Sequence, residues 1–356
     1  MEQFVTVTPD QLTQLLSLDW KIWQEKGPEY GRAPCIRGYH GIGKTEVVEQ
    51  FAKDVFEEIW ILTLIHADPT DFRGFMFLSE GKVIRVPPDF EPPDDGKKRI
   101  IFFDDVITAP PSVQASLFRI LKASEGDKGN YMKRWGRNNF IVLACNYRKE
   151  GAGFPMPDQV VNRVNFYDLQ ANADDWCLYA MTKGISPVIV GYVKKNPDAL
   201  VKLPPPGMHE SMPHPTPRAW FAADAFLKEA PEDLLMFGLA GRIGVGATTE
   251  LLAFRRLEKD LPDIDKILKG EDIIPEKDDV LYLTIMSLLS RISQKKTKSL
   301  WNRVLEYSLV LPQRNVSLTT FCGASMLKMD AGIVAFLPIF DQWADKVKFV
   351  MPKKGE

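Results

Sequence analysis

The chain has 356 residues, 45% of them hydrophobic, which is enough length for two domains and enough apolar material for a substantial core. Its 45 Lys and Arg against 47 Asp and Glu leave a formal net charge of −2, so there is no basic surplus for wrapping nucleic acid and no acidic tail. The four cysteines are scattered without a C-x-x-C pair, which points away from a disulfide framework or zinc site and toward a reducing cytoplasm. The first residues lack the pattern of a secretory leader, and no run approaches the roughly 20 apolar residues of a membrane span, so membrane insertion is not expected.

Thr8-Pro9-Asp10-Gln11 announces a helix, with Thr at the N-cap, Pro at the first helical position and Gln placed to reach back as in a capping box. The short apolar run Ala33 to Ile36 then leads into Gly38-Tyr39-His40-Gly41-Ile42-Gly43-Lys44-Thr45, followed by a helix-forming stretch from Glu46 to Val55. This is a G-x-x-x-x-G-K-T phosphate loop between a strand and a helix. Its glycines let backbone N–H groups turn around a polyphosphate, Lys44 reaches the outer phosphates, and the Thr45 hydroxyl is a ligand for Mg²⁺. The signature implies ATP with Mg²⁺ as cofactors, without separating ATP from GTP.

Ile59 to Ile65 suits a buried strand, residues 66–74 carry turn chemistry, and Phe75 to Val86, with Gly81 in its middle, reads as a β-hairpin standing off the main sheet. Ile100 to Phe103 is a third strand running directly into Asp104 and Asp105. An apolar strand ending in two acids fits a nucleotide site: Asp104 as the carboxylate for Mg²⁺, Asp105 to orient or deprotonate an attacking water. Beyond a helix from Ser112 to Lys122, Phe140 to Cys145 is a fourth strand closing on Asn146, whose amide is a neutral hydrogen-bonding group suited to the γ-phosphate and the water. Val164 to Phe166 is a fifth, preceded by Arg163.

From about residue 170 the pattern is helical without strands. Stretches 174–183, 187–195, 250–259, 279–292 and 297–309 carry the period, and Thr216-Pro217 opens a well-capped helix with Arg218 in its first turn. His209 and His214 fall in a Pro-rich loop with no nearby Cys, which favours a loop over a metal site. Residues 335–347 are a candidate docking helix. The division expected is 1–169 for an α/β nucleotide-binding core with hairpin inserts, and 170–356 for an α-helical lid and C-terminal helices.

These motifs, in this order, resemble a MoxR-like AAA+ ATPase over about residues 30–260. The carrying stretches are Gly38 to Thr45, Asp68 to Gly74 opening an insert, Ile100 to Asp105 followed by Ala109-Pro110-Pro111-Ser112-Val113-Gln114, Asn146, Met156-Pro157-Asp158-Gln159 leading to Asn162-Arg163, and Thr216 to Ala219. The resemblance implies a five-stranded parallel P-loop sheet, an α-helical lid, and a homo-hexameric ring with nucleotide between subunits. It implies that Arg163 is an arginine finger given to the adjacent subunit, and that Arg218 is the sensor-two arginine. It further implies hairpin inserts near the ring pore, at Phe75 to Val86 and at residues 128–138, and a partner carrying a von Willebrand factor A domain. This chain departs from the family in having Asp105 for Glu, His40 for a common Pro and Ile107 for an Asn.

The function expected is therefore an ATP-hydrolysing, chaperone-like motor that remodels a protein client, with slow turnover because the Asp105 side chain is short. Two alternatives stand beside it: a nucleic-acid-directed motor, which needs a basic pore, and a nucleotide-switched scaffold with little hydrolysis.

Overall fold

The five apolar runs expected to be strands join one parallel sheet, and their common direction brings their C-terminal ends to one edge. In the computed structural model, which describes residues 5–86, 91–122, 137–147, 153–203, 212–295 and 297–348, the chain divides into two units, Met1–Ala171 and Asn172–Glu356.

The first unit contains β1 (Thr6–Val7), β2 (Ala33–Arg37), β3 (Glu58–Thr63), β4 (Phe75–Ser79), β5 (Lys82–Val86), β6 (Arg99–Asp104), β7 (Asn139–Cys145) and β8 (Val164–Leu169). Six form a sheet in the order β1-β8-β2-β7-β6-β3, all pairs parallel. The sixth strand is an addition to the expected five: Thr6 and Val7 pair beside Asp168 and Leu169, extending the sheet past the edge of β8. A two-residue strand carries no periodicity, so nothing in its sequence announced it.

Of the four inner strands, β2, β7 and β6 are buried on both faces, and Ile100 to Phe103 and Phe140 to Ala144 are almost wholly withdrawn from solvent. That burial is why they read as unbroken apolar runs rather than alternating ones. The helix Pro9–Lys26 starts as expected: Thr8 accepts from the Gln11 backbone, and the Gln11 side chain accepts from Thr8 N–H. It buries Trp20 and Trp23 against Phe140. It also buries Asp19, whose carboxylate accepts from the Tyr167 hydroxyl at 2.7 Å, and burial pushes this carboxyl up to about 6.

The stretch 66–74 contains a helix, Pro69–Arg73, where turn chemistry was expected. Asp68 caps it and Asp71 completes a capping box with an Asp in place of the usual Glu or Gln. The hairpin follows as expected. β4 and β5 pair antiparallel through Glu80 and Gly81, both at positive φ, the conformation of a tight two-residue hairpin turn. Phe75, Met76, Phe77, Leu78, Val83, Ile84 and Val86 are all exposed, so both faces of this ribbon are apolar and open. Of the second insert, residues 128–136 lie outside the described residues.

The second unit is built from helices, with no strand among its described residues. Asp278–Gln294 is its central element and buries Leu281, Ile285, Leu288 and Ile292. Four further helices match the expected stretches within a few residues: Ala173–Thr182, Pro187–Lys195, Pro217–Glu229 and Lys298–Leu309. The helix Phe340–Val347 docks on Val316–Val334 of the same unit: Trp343 is fully buried, its indole N–H donates to the Thr319 carbonyl at 3.0 Å, and its ring occupies the space above Gly323. His214 Nδ1 donates locally to the Met212 carbonyl at 3.0 Å, while His209 lies outside the described residues. Among the described residues no helix is long and apolar enough to cross a membrane.

Candidate nucleotide site

Because β2, β6 and β7 run parallel, the residues that follow them meet at one sheet edge: Gly38 after β2, Asp104 and Asp105 at the end of β6, Asn146 after β7. This is where open α/β sheets bind ligands.

The loop from Gly38 to Gly43 enters the helix Lys44–Val55. Gly43 sits at φ 99°, a left-handed conformation that only glycine adopts without strain. Gly38 is needed for a different reason, since a Cβ there would lie 2.4 Å from Ile42 Cδ1 and 3.1 Å from the Leu169 carbonyl. Ile42 is buried beneath the loop, and Tyr39 and His40 face solvent.

Lys44 is buried, and its ammonium donates to the carbonyls of Gly38 (3.0 Å) and Tyr39 (3.1 Å) and to Asn146 Oδ1 (2.6 Å). The other half of the Asn146 amide, Nδ2, donates to Asp105 Oδ1 at 2.6 Å. The Thr45 hydroxyl donates to Asp104 Oδ2 at 3.2 Å, and Asp104 Oδ1 accepts from the Asp105 backbone N–H at 2.9 Å. Seven of the sequence-predicted residues, Gly38, Tyr39, Lys44, Thr45, Asp104, Asp105 and Asn146, thus form one hydrogen-bonded cluster. Asp105 itself lies at φ 54°, ψ 41°, a left-handed position that Asp tolerates better than most residues. Thr45 and Asp104 offer adjacent oxygens, a donor set suited to a hard Mg²⁺ that keeps part of its water shell.

One predicted residue of this unit lies elsewhere. Arg163 precedes β8, whose Val164 pairs with Ala33 at the start of β2, whereas the phosphate loop follows Arg37 at the end of β2. It is therefore at the opposite sheet edge from its own chain's loop, a strand length of roughly 15 Å away. Its Nη1 donates to the Gln159 carbonyl at 2.9 Å and its guanidinium stacks on Phe118. Arg218 belongs to the second unit, exposed in the first turn of Pro217–Glu229, where the Thr216 hydroxyl accepts from Ala219 N–H.

The structure adds residues that the motifs did not single out. Arg37, the last residue of β2, pairs with Asp168 at 2.6 Å and packs over Phe166. Tyr147, next to Asn146, meets the Tyr39 ring edge-on at 4.9 Å, and burial together with Asp168 pushes its phenol up to about 12. Asp168, the fifth of six residues in β8, was the available signal, since a charge in a strand of a parallel sheet calls for a partner.

No family model matches the chain, and no curated protein matches it in sequence. Among solved structures it is similar to the RuvB Holliday junction branch migration motor of Thermotoga maritima, at 15% identity over 73% of this chain and 74% of that one, with a TM-score of 0.37. It is also similar to a candidate ATPase from Cytophaga hutchinsonii, at 16% identity over 46% of this chain, with a TM-score of 0.30. The chain spans about half of that protein, 51% of its length. The fold is a P-loop α/β fold built on a parallel sheet. The sheet order, the phosphate loop between β2 and its helix, and the acids closing β6 define it in this chain.

Proposed function

We propose that the chain is a MoxR-like AAA+ ATPase, a ring motor that hydrolyses ATP to remodel or assemble a protein client. The observation that carries this reading is the continuous hydrogen-bonded path from Lys44 through Asn146 to Asp105, beside Thr45 and Asp104. It joins the cation that meets the outer phosphates to the carboxylate that meets the attacking water. Phosphoryl transfer is catalysed chiefly by positioning and by positive charge on the transferred group, and these residues supply both.

Lys44 holds phosphate oxygens when it exchanges one of its protein acceptors for them. Asn146 orients water between phosphate and Asp105, and Asp105 takes the proton. Thr45 and Asp104 hold Mg²⁺, which when bound with ATP supplies charge that polarises the phosphoryl oxygens. Arg163 serves the site of a neighbouring copy, and its separation from its own loop supports that reading. By the family resemblance, Arg218 is assigned the sensor-two role. The exposed apolar ribbon of β4 and β5 engages the client, and a von Willebrand factor A domain protein is the partner this reading calls for.

Steady-state hydrolysis across a wide protein concentration range, with Arg163→Ala mixed into wild type, tests the proposal. Specific activity that climbs with concentration, and poisoning by the mutant, are the expected results. Activity independent of concentration and of the mutant sinks the shared-site ring, and Lys44→Ala with unchanged turnover sinks the motor altogether. A second reading, a nucleotide-switched scaffold, draws on Asp105: its carboxylate is short and one oxygen is already engaged by Asn146. Tight nucleotide binding with no turnover at any concentration favours it.

A further inference from the structure

The backbone of Arg163 is pinned on both sides: its N–H donates to the Val160 carbonyl at 2.9 Å, and its carbonyl accepts from Ala33 N–H at 3.3 Å. Its side chain makes no ion pair among the described residues. Arg37, Arg99, Arg255 and Arg303 each face a carboxylate at 2.6 or 2.7 Å, on Asp168, Glu58, Glu232 and Asp272. Arg163 faces none among the described residues. Its guanidinium carbon lies instead 4.4 Å from the centre of the Phe118 ring, on the helix Pro111–Lys122.

We propose that Phe118 is the positioning residue for Arg163, holding its guanidinium in a fixed orientation for a neighbouring copy's nucleotide without neutralising it. This rests on the ring-motor reading above. A guanidinium has five N–H donors in a planar fork, and one of these is spent on Gln159. A carboxylate partner would take two more and cancel the charge that phosphoryl transfer requires. A ring face attracts the cation through its quadrupole and leaves the in-plane donors available, which biases orientation by roughly 2- to 30-fold. The helix that carries Phe118 begins just beyond Asp105, so a single element follows the chain's own catalytic acids and seats the arginine it gives away.

The test uses full-length protein with Phe118→Leu, Phe118→Trp, Arg163→Ala and Lys44→Ala, assayed for hydrolysis of Mg²⁺-ATP and for binding of a fluorescent ATP analogue. Phe118→Leu is expected to lower kcat about ten-fold while KM and nucleotide Kd stay within about two-fold, and Phe118→Trp to restore kcat. Mixing Phe118→Leu with Lys44→Ala is expected to raise turnover above either alone, because the Lys44→Ala copies give a well-aimed arginine to intact sites. Phe118→Met provides the same readout if the Leu variant does not fold. Turnover of Phe118→Leu equal to wild type, with Arg163→Ala inactive, overturns this inference alone. Equal losses in the Leu and Trp variants with no gain on mixing also overturn it, leaving Phe118 a packing residue. Arg163→Ala with wild-type turnover overturns the ring reading on which it rests.

Discussion

Asn146 divides its amide between Lys44 and Asp105, accepting from one at 2.6 Å and donating to the other at 2.6 Å. The cation and the acid of the site are therefore coupled through one neutral side chain. Changing the charge of that side chain should act oppositely on its two partners. Asn146→Asp is expected to hold Lys44 by an ion pair and repel Asp105, weakening ATP binding. Asn146→Ala is expected to leave binding nearer wild type and lower kcat roughly 100-fold, the scale of losing one preorganised donor. Titration of nucleotide binding alongside turnover separates the two, and equal Kd values would refute the coupling.

Asp105→Glu lengthens the carboxylate by one methylene and moves it past the Asn146 amide. At φ 54° the longer residue is less at ease, so a stability loss on the order of 1 kcal/mol is expected, together with a sharp rise in turnover. Thermal melting and steady-state hydrolysis measure both. Unchanged turnover means that Asp105 already reaches its water.

Asp19 gives a pH dependence unrelated to catalysis. Its carboxyl is raised to about 6, above the ordinary carboxylate range, because burial disfavours the ionised form; hydrogen bonds from Tyr167 and Asn165 only partly compensate. The folded state thus takes up this proton before the unfolded state as pH falls. The cost of burying the charge is present in full above about pH 6 and fades between pH 6 and 4. Asp19→Asn, which keeps an acceptor for Tyr167, should stabilise the protein at pH 8 by on the order of 2 kcal/mol and flatten this part of the profile. Melting temperatures at pH 4.5 and 8, roughly bracketing that window, check the sign.

Gly323→Ala tests the docking of the C-terminal helix. A Cβ at this position would lie 2.1 Å from the Trp343 ring, which has no flexible end to yield. A destabilisation of about 2–3 kcal/mol is expected, with a red-shifted Trp343 fluorescence if the helix detaches. A mutant with wild-type melting behaviour rules out this packing.

The sequence was most legible where burial is most complete. Ile100 to Phe103 and Phe140 to Cys145 are inner strands whose apolar runs end in the residues that line the site. Lys44, Thr45, Asp104, Asp105 and Asn146 were each legible from their place after such a run. Pro69–Arg73 was obscured because its capping box uses Asp71, which has the side chain of a turn residue. Val316–Val334 was equally obscure: it is apolar on most sides and shows little helical period, as a buried helix does. Phe118 could not be assigned at all, because its contact with Arg163 joins residues far apart in sequence through one helix face and one turn, with no motif to mark it.

In the proposed ring, the opposite placement of Arg163 and the phosphate loop on the β2 and β8 pair would give each copy a giving end and a receiving end. Copies joined through those ends in an open row always leave one loop unserved and one arginine unused. Closing the row removes that deficit, so for a site completed in this way the last copy to join contributes two productive junctions where every earlier one contributed a single junction. Activity then counts junctions rather than chains, and an assembly lacking one copy loses more than its share.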